Sequence, residues 1–312
     1  MPQKRLFCFG FGYTAEFLAY TLRNIEKDEW HIAGTTRSHE KQEAMMALGI
    51  DAQLFDNDTA LSDVHAALGD ATHVLVSTPP DADGDIVFRL HAEDIMRAKR
   101  MKWFGYLSTI GVYGDRGGGS VDENSELQPT SIRGTRRVRA EKQWMSLFYQ
   151  YNIPLHIFRL AGIYGPGRSA LDSVRAGIAR RIYKEGHAFN RVHVEDIVQT
   201  LIHSIHKPNP GRWYDVADDT PAASHEVIEY ACELLGKPVP PMVNYEDANL
   251  TPMTQSFYSE NKRVRNERIK EELSIKLKYP SFREGIKACL EQEEAYWKRL
   301  GRLGDVFAAS ET

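Results

Sequence analysis

The chain has 312 residues, 42% of them hydrophobic, and a formal net charge of −4. This composition supports a full buried core in one large domain or two small ones. The acidic balance argues against a general nucleic-acid binder, which carries a basic surplus. Three cysteines, Cys8, Cys232 and Cys289, are too few and too scattered for a disulfide framework or a zinc site, and they fit a reducing, cytoplasmic setting. The N-terminal residues lead straight into a strand-like run, which predicts no apolar leader. No stretch of the sequence approaches the roughly 18 apolar residues of a membrane span.

In chain order, residues 6–9 read as strand, 14–24 as helix, 31–35 as strand and 40–48 as helix. A short strand at 53–55 precedes a helix at 60–68, then strand 73–76, helix 86–101, strand 103–109, a long helix at 133–151 and a sixth strand at 155–160. Strands alternating with helices at this spacing predict βαβ units in a parallel sheet, with right-handed crossovers placing helices on both faces. After Gly167 the pattern loosens. Residues 169–177 read as helix, 182–194 as a hairpin turning at Glu185-Gly186, 197–205 as helix and 213–216 as strand. Residues 224–235 form an amphipathic helix with Gly236 as its C-cap, and 282–299 a charged helix. The prediction is an α/β protein with a Rossmann-type doubly wound domain over 1–168, completed by about 192–217. A smaller C-terminal lobe follows from 169–191 and 218–312.

Gly10-Phe11-Gly12-Tyr13-Thr14-Ala15 matches the G-x-G-x-x-G/A pattern in the required context, between an apolar strand and a helical run. Gly10 permits the tight turn, Gly12 lets a pyrophosphate approach the backbone, and Ala15 lets helix and strand pack closely. Tyr13 and Thr14 open a helix whose N-terminus offers N–H donors and a positive dipole end. The carboxylate that usually grips the adenosine ribose should close the second strand. That place reads Gly34-Thr35-Thr36-Arg37-Ser38. Arg37 can pair with a 2′-phosphate, and Thr36 or Ser38 can hydrogen-bond it. This favours NADP(H) over NAD(H); the alternative is a solvated surface arginine.

These features come with Ser108-Thr109-Ile110-Gly111-Val112-Tyr113-Gly114, Arg159-Leu160-Ala161-Gly162-Ile163-Tyr164-Gly165-Pro166-Gly167, Arg191-Val192-His193-Val194-Glu195-Asp196-Ile197 and Tyr214-Asp215-Val216-Ala217-Asp218-Asp219. In this order and spacing the chain resembles the extended short-chain dehydrogenase/reductases, the superfamily of NAD-dependent epimerases and dehydratases, and within it an atypical YeeZ-like branch. The resemblance implies a sheet of about seven strands and a C-terminal substrate-binding lobe. It implies Asp56 near the adenine, and Ser77, Thr78 and Pro79 along the cofactor. It places Thr109 at the family's catalytic Ser/Thr position. Relatives pair through helices corresponding to 86–101 and 133–151, so a homodimer is one alternative and a monomer the other.

The family's active site uses Tyr-x-x-x-Lys-x-x-x-Glu on the helix after Thr109. Glu141 matches the glutamate, but Arg137 stands at the lysine position and Arg133 at the tyrosine position. Arginine stays protonated, so neither is a general acid/base with a pKa near the working pH. Arg137 can still hydrogen-bond a ribose, and Arg133 can bind an anion or polarise a carbonyl. Tyr113 and Tyr164, at the carboxyl edge of the sheet, are candidate replacement acids, or rings packed in loops.

Arg133, Arg136, Arg137, Arg168, Arg180, Arg181 and Arg191 come from segments expected to converge on one cleft. They suggest an anionic small-molecule substrate, with Arg168 and Arg191 as its contacts and Tyr164 beside them. His193 reads as a packing residue, with Glu195 or Asp196 at a helix start. No cluster has metal-ligand spacing. The reading is an NAD(P)-binding oxidoreductase or epimerase acting on a small anionic or sugar-derived substrate. The alternative is a non-catalytic NADP(H)-binding sensor or scaffold.

Overall fold

A computed structural model describes residues 4–24, 29–56 and 58–300. The outer ends of the two expected domains, residues 1–3 and 301–312, lie outside the described residues. The strands are β1 (Lys4–Phe9), β2 (Trp30–Thr36), β3 (Asp51–Leu54), β4 (His73–Val76), β5 (Trp103–Thr109), β6 (Ser120–Val121), β7 (Leu155–Leu160), β8 (Gly162–Tyr164), β9 (Arg181–Tyr183), β10 (Arg191–His193), β11 (Arg212–Val216), β12 (Met242–Asn244) and β13 (Arg263–Val264). The helices are α1 (Tyr13–Asn24), α2 (His39–Ala47), α3 (Val64–Leu68), α4 (Ile86–Arg97), α5 (Ile132–Tyr151), α6 (Ala170–Arg175), α7 (Val194–His206), α8 (Ser224–Leu235), α9 (Pro252–Tyr258), α10 (Glu267–Leu273) and α11 (Phe282–Leu300).

Seven strands form one sheet in the order β11-β7-β5-β4-β1-β2-β3, every neighbouring pair parallel. Helices cover both faces, so the central strands read as unbroken apolar runs rather than alternating ones. Successive residues of β1 face opposite sides. Leu6 and Cys8 join a core with α1 and α7, while Phe7 and Phe9 join one with α3, α4 and α5. Strand order reverses between β1 and β4, which opens a crevice at their carboxyl ends, where doubly wound sheets bind ligands.

The helices follow local chemistry. The Ser131 hydroxyl accepts the Gly134 N–H at the start of α5, and Asn152 ends that helix in the left-handed region. Gly236 closes α8 at φ 59°, as its sequence predicts. Two helices are shorter than their apolar periodicity suggests. α3 begins at Val64 because Asp63 caps it by accepting the Ala66 N–H, and α4 ends at Arg97, short of Met101.

The expected hairpin over 182–194 does not form. β9 pairs with β12 and β10 with β8, both in parallel. The two arms belong to different cores. Ile182 packs with Leu250 and Tyr258, whereas Val192 lies in the main core with α7. The lobe is therefore built from short parallel ribbons and α6, α8 and α11, the helices packing around Leu171, Val227 and Ile286.

Candidate functional site

At the β1 end of the crevice the backbone does what the glycine motif requires. Gly10 adopts φ 83°, and a Cβ there would press on the Ser77 hydroxyl and the Thr78 backbone. Its N–H donates to the Thr35 hydroxyl at 2.8 Å, and its carbonyl accepts from the Ser77 hydroxyl. A Cβ on Gly12 would meet nothing within 4 Å, so the turn faces open space at the N-terminus of α1. Thr78 holds a buried hydroxyl with no partner among the described residues. Ala15 is fully buried against the sheet and Thr14 nearly so. These features fit a dinucleotide pyrophosphate. Tyr13 offers only its backbone there. Its ring packs on Phe17 and Tyr296, and its hydroxyl donates to the Pro166 carbonyl at 2.9 Å.

At the end of β2, Arg37 is exposed and makes no hydrogen bond or ion pair with a described residue. Thr36 is buried and accepts the Ser38 N–H, and the Ser38 hydroxyl caps α2 by accepting the Lys41 N–H. Lys41 escaped the sequence reading, although it stands four residues after Arg37 on the first turn of that helix. Burial lowers its pKa to about 8, Glu16 opposing the shift and Arg37 adding to it. Arg37 and Lys41 are thus neighbouring cations, with Glu16 offsetting the charge on Lys41. Asp56, after β3, is exposed and holds the turn at Asp58 and Thr59 with one carboxylate oxygen.

Further along the edge lies a cavity of about 1070 Å³. It runs from Pro79 after β4, past Thr109 at the end of β5, to the lobe wall at Phe189 and α9. Thr109, Arg133 and Arg137 all border it, so the structure brings these three together. The Thr109 hydroxyl accepts the Gly111 N–H at 3.1 Å, which seats it at the head of a short 3-10 turn. Arg137 donates to the Tyr106 hydroxyl at 2.9 Å and the Leu107 carbonyl at 2.7 Å, fixing its guanidinium over β5. Arg133 is exposed, its guanidinium 5.9 Å from the Phe257 ring.

Tyr113 does not reach the cavity. It is fully buried, its hydroxyl donates to Asp215 at 2.7 Å, and it accepts from Arg159 at 2.9 Å. Arg159 is bound in turn to Glu141 at 2.8 Å, which also takes the Ser108 hydroxyl. Burial and the Asp215 charge drive the Tyr113 pKa far up, so it neither meets a substrate nor exchanges a proton near neutral pH. The sequence could not reveal this, since a tyrosine after a strand can point into either the crevice or the core.

The expected single arginine cleft divides. Arg133, Arg136 and Arg137 border the large cavity, whereas Arg168, Arg191 and Tyr164 border a second of about 550 Å³. Arg180 donates to the Asn249 carbonyl, and Arg181 binds Glu229. Arg191 is half-buried and donates to the carbonyls of Phe189 and Ala222, stapling the isolated bridge between them. Arg168 lies over the Tyr13 ring. The Tyr164 hydroxyl fills the space that a Cβ on Gly285 would need, and its ring packs edge-on to His193. His193 is a packing residue. Its Nδ1 accepts the Glu195 N–H, its Nε2 faces the buried Cys289 thiol at 3.6 Å, and burial lowers its pKa to about 4. Asp196 accepts the N–H groups of Lys278 and Tyr279. Among the described residues no group of side chains could hold a metal ion, and no helix is long and apolar enough to cross a membrane.

The model of the NAD dependent epimerase/dehydratase family matches residues 63–217. A functionally unknown conserved protein from Silicibacter pomeroyi is 47% identical, covering 94% of this chain and 100% of that one, with a TM-score of 0.84. Human dTDP-D-glucose 4,6-dehydratase is 27% identical over 172 residues, 53% of this chain. The match spans only 43% of that protein's length. The dTDP-glucose 4,6-dehydratase of Bacillus anthracis, solved in complex with NAD, shares the fold. Its TM-score is 0.74 at 18% identity, covering 96% of this chain and 99% of that one.

Proposed function

From the premise that this chain belongs to the NAD dependent epimerase/dehydratase family, we propose that it binds NADP(H) along the carboxyl edge of the sheet and acts as an oxidoreductase or epimerase on a small anionic or sugar-derived substrate. The observation that carries the reading is the alignment of three features along one edge. They are the open glycine turn, the Arg37–Lys41 pair, and the cavity bordered by Thr109, Arg133 and Arg137. The turn backbone and Thr78 hold the pyrophosphate, with Ser77 and Pro79 beside it. Arg37 holds the 2′-phosphate, which sets the preference over NAD(H). Asp56 has one carboxylate oxygen left to meet the adenosine.

When bound, the nicotinamide supplies or accepts hydride. Arg137, anchored over β5, orients the ligand oxygens nearest it. Arg133 donates hydrogen bonds to a substrate carbonyl and stabilises the negative charge that develops there. It remains protonated, so the proton that completes the alcohol comes from solvent, directly or relayed through the Thr109 hydroxyl, which regains a proton from water as it gives its own. A panel of carbonyl metabolites tests this, with NADPH oxidation followed by absorbance. At least one should be reduced, and Arg133→Ala should slow it about tenfold or more.

The burial of Tyr113, and the position of Tyr164 on the other cavity, favour one second reading: a protein that binds NADP(H) without turning it over. Tight NADPH binding with no oxidation by any carbonyl would select it.

A further inference from the structure

The two walls of the large cavity differ in what they leave open to a ligand. On the lobe wall every polar side chain is already engaged. Ser256 donates to the Met253 carbonyl. Asn190 donates to the Lys262 carbonyl and accepts the Val264 N–H. Glu260 accepts from Thr130 and from Lys262, and Lys262 also donates to the Gly114 carbonyl. What this wall presents is apolar: Phe189, Pro252, Met253 and Phe257. Met253 and Phe257 are 55% and 52% exposed, and Ile132 across the mouth is 74% exposed. Large apolar side chains gathered at the rim of one concavity mark a binding surface. On the opposite wall Arg133 and Arg136 make no hydrogen bond or ion pair with any described residue. Asp81, which also lines the cavity, is bound to Arg89 at 3.1 Å.

A nucleoside diphosphate sugar carries polar groups along its whole length, and those turned to the lobe wall would lose water against a mainly apolar surface whose polar side chains are already hydrogen-bonded. An organic anion with an apolar body meets both walls. We infer that the substrate of this site is a carboxylate borne on an aliphatic or aromatic chain, its head on Arg133 and Arg136 and its body along Met253 and Phe257. This rests on reading the large cavity as the substrate site.

The test is direct binding by calorimetry on the full chain, without cofactor and then with NADP⁺. The probes are straight-chain carboxylates from butyrate to octanoate, 1-octanol and UDP-glucose. Affinity is expected to rise roughly two- to fourfold per methylene, with octanoate about tenfold or more above 1-octanol and above UDP-glucose. Arg133→Gln with Arg136→Gln should abolish the preference for octanoate over octanol. Phe257→Ser with Met253→Ser should flatten the length dependence and leave the head-group preference. A flat carboxylate series, or tighter binding of UDP-glucose than octanoate, would overturn the inference. So would a dimer that Phe257→Asp dissociates, since a second copy would then cover the rim. Because the series is first measured without cofactor, failure of NADP(H) to bind would defeat the proposed function alone. A flat series beside intact NADP(H) binding would defeat only the inference.

Discussion

The two ends of the carboxyl edge use charge in opposite ways. Beneath the β5 end lies a chain of buried charges, Glu141, Arg159, Asp215 and Glu123, each satisfied by another or by a hydroxyl or N–H. At the β2 end the exposed Arg37 stands beside Lys41, whose charged form Glu16 favours, and residues 34–38 closing β2 carry no carboxylate. Charges satisfied inside the fold hold structure, and removing one leaves its partner buried and unpaired. Charges open to the crevice are the ones we propose for ligand. Arg133, exposed at the cavity, belongs with the second kind, whereas Arg137 is anchored to Tyr106 and Leu107 and still borders the cavity.

The largest expected effect tests the buried side of this contrast. Glu141→Ala should cost about 3–5 kcal/mol of stability, read by urea unfolding, while the folded fraction keeps its NADPH affinity within about twofold. A loss of affinity at unchanged stability would place Glu141 in the ligand machinery instead. Next comes Gly10→Ala. A Cβ at φ 83°, crowding Ser77 and Thr78, should reduce NADPH affinity about 100-fold, or 2.7 kcal/mol, by fluorescence titration on protein shown by circular dichroism to be folded. An unchanged affinity would remove the cofactor from the glycine turn.

The smallest effect is in pH. Lys41, ordinarily protonated up to 10.5, is held at about 8 in the fold, so it is charged below that pH and neutral above it. The preference for NADPH over NADH should therefore be full near pH 7 and decline severalfold by pH 9. Lys41→Met should show no such decline. A preference that stays constant in the wild type across this range would separate Lys41 from the 2′-phosphate.

The sheet was legible because burial on both faces writes itself as apolar runs, as in β1 and β4, and because Gly10 and Gly12 sit where a strand meets a helix. The lobe was not. β8, β9 and β10 have three residues each, too few for a period, and their parallel partners lie far away in the chain, so 182–194 resembled a hairpin. In the site, Thr109, Arg133 and Arg137 could be found by counting along a motif. The direction of Tyr113 could not, because it depends on Asp215 and Arg159 from other strands. Arg191 was placed near a cavity but not in its role as a staple, which needs the carbonyls of Phe189 and Ala222 close at hand. Met253 and Phe257 left a faint signal: apolar residues four apart on one helix face, opened by a capping Thr251 and a proline at the first turn.

The most direct test of cofactor capture at the open end of the edge is a side-by-side titration of NADPH and NADH against the wild type and Arg37→Ala. The expected result is at least tenfold tighter NADPH binding in the wild type, about 1.4 kcal/mol, with that margin lost in the variant and NADH affinity unchanged. Equal affinities in the wild type, or a margin that survives Arg37→Ala, would contradict it.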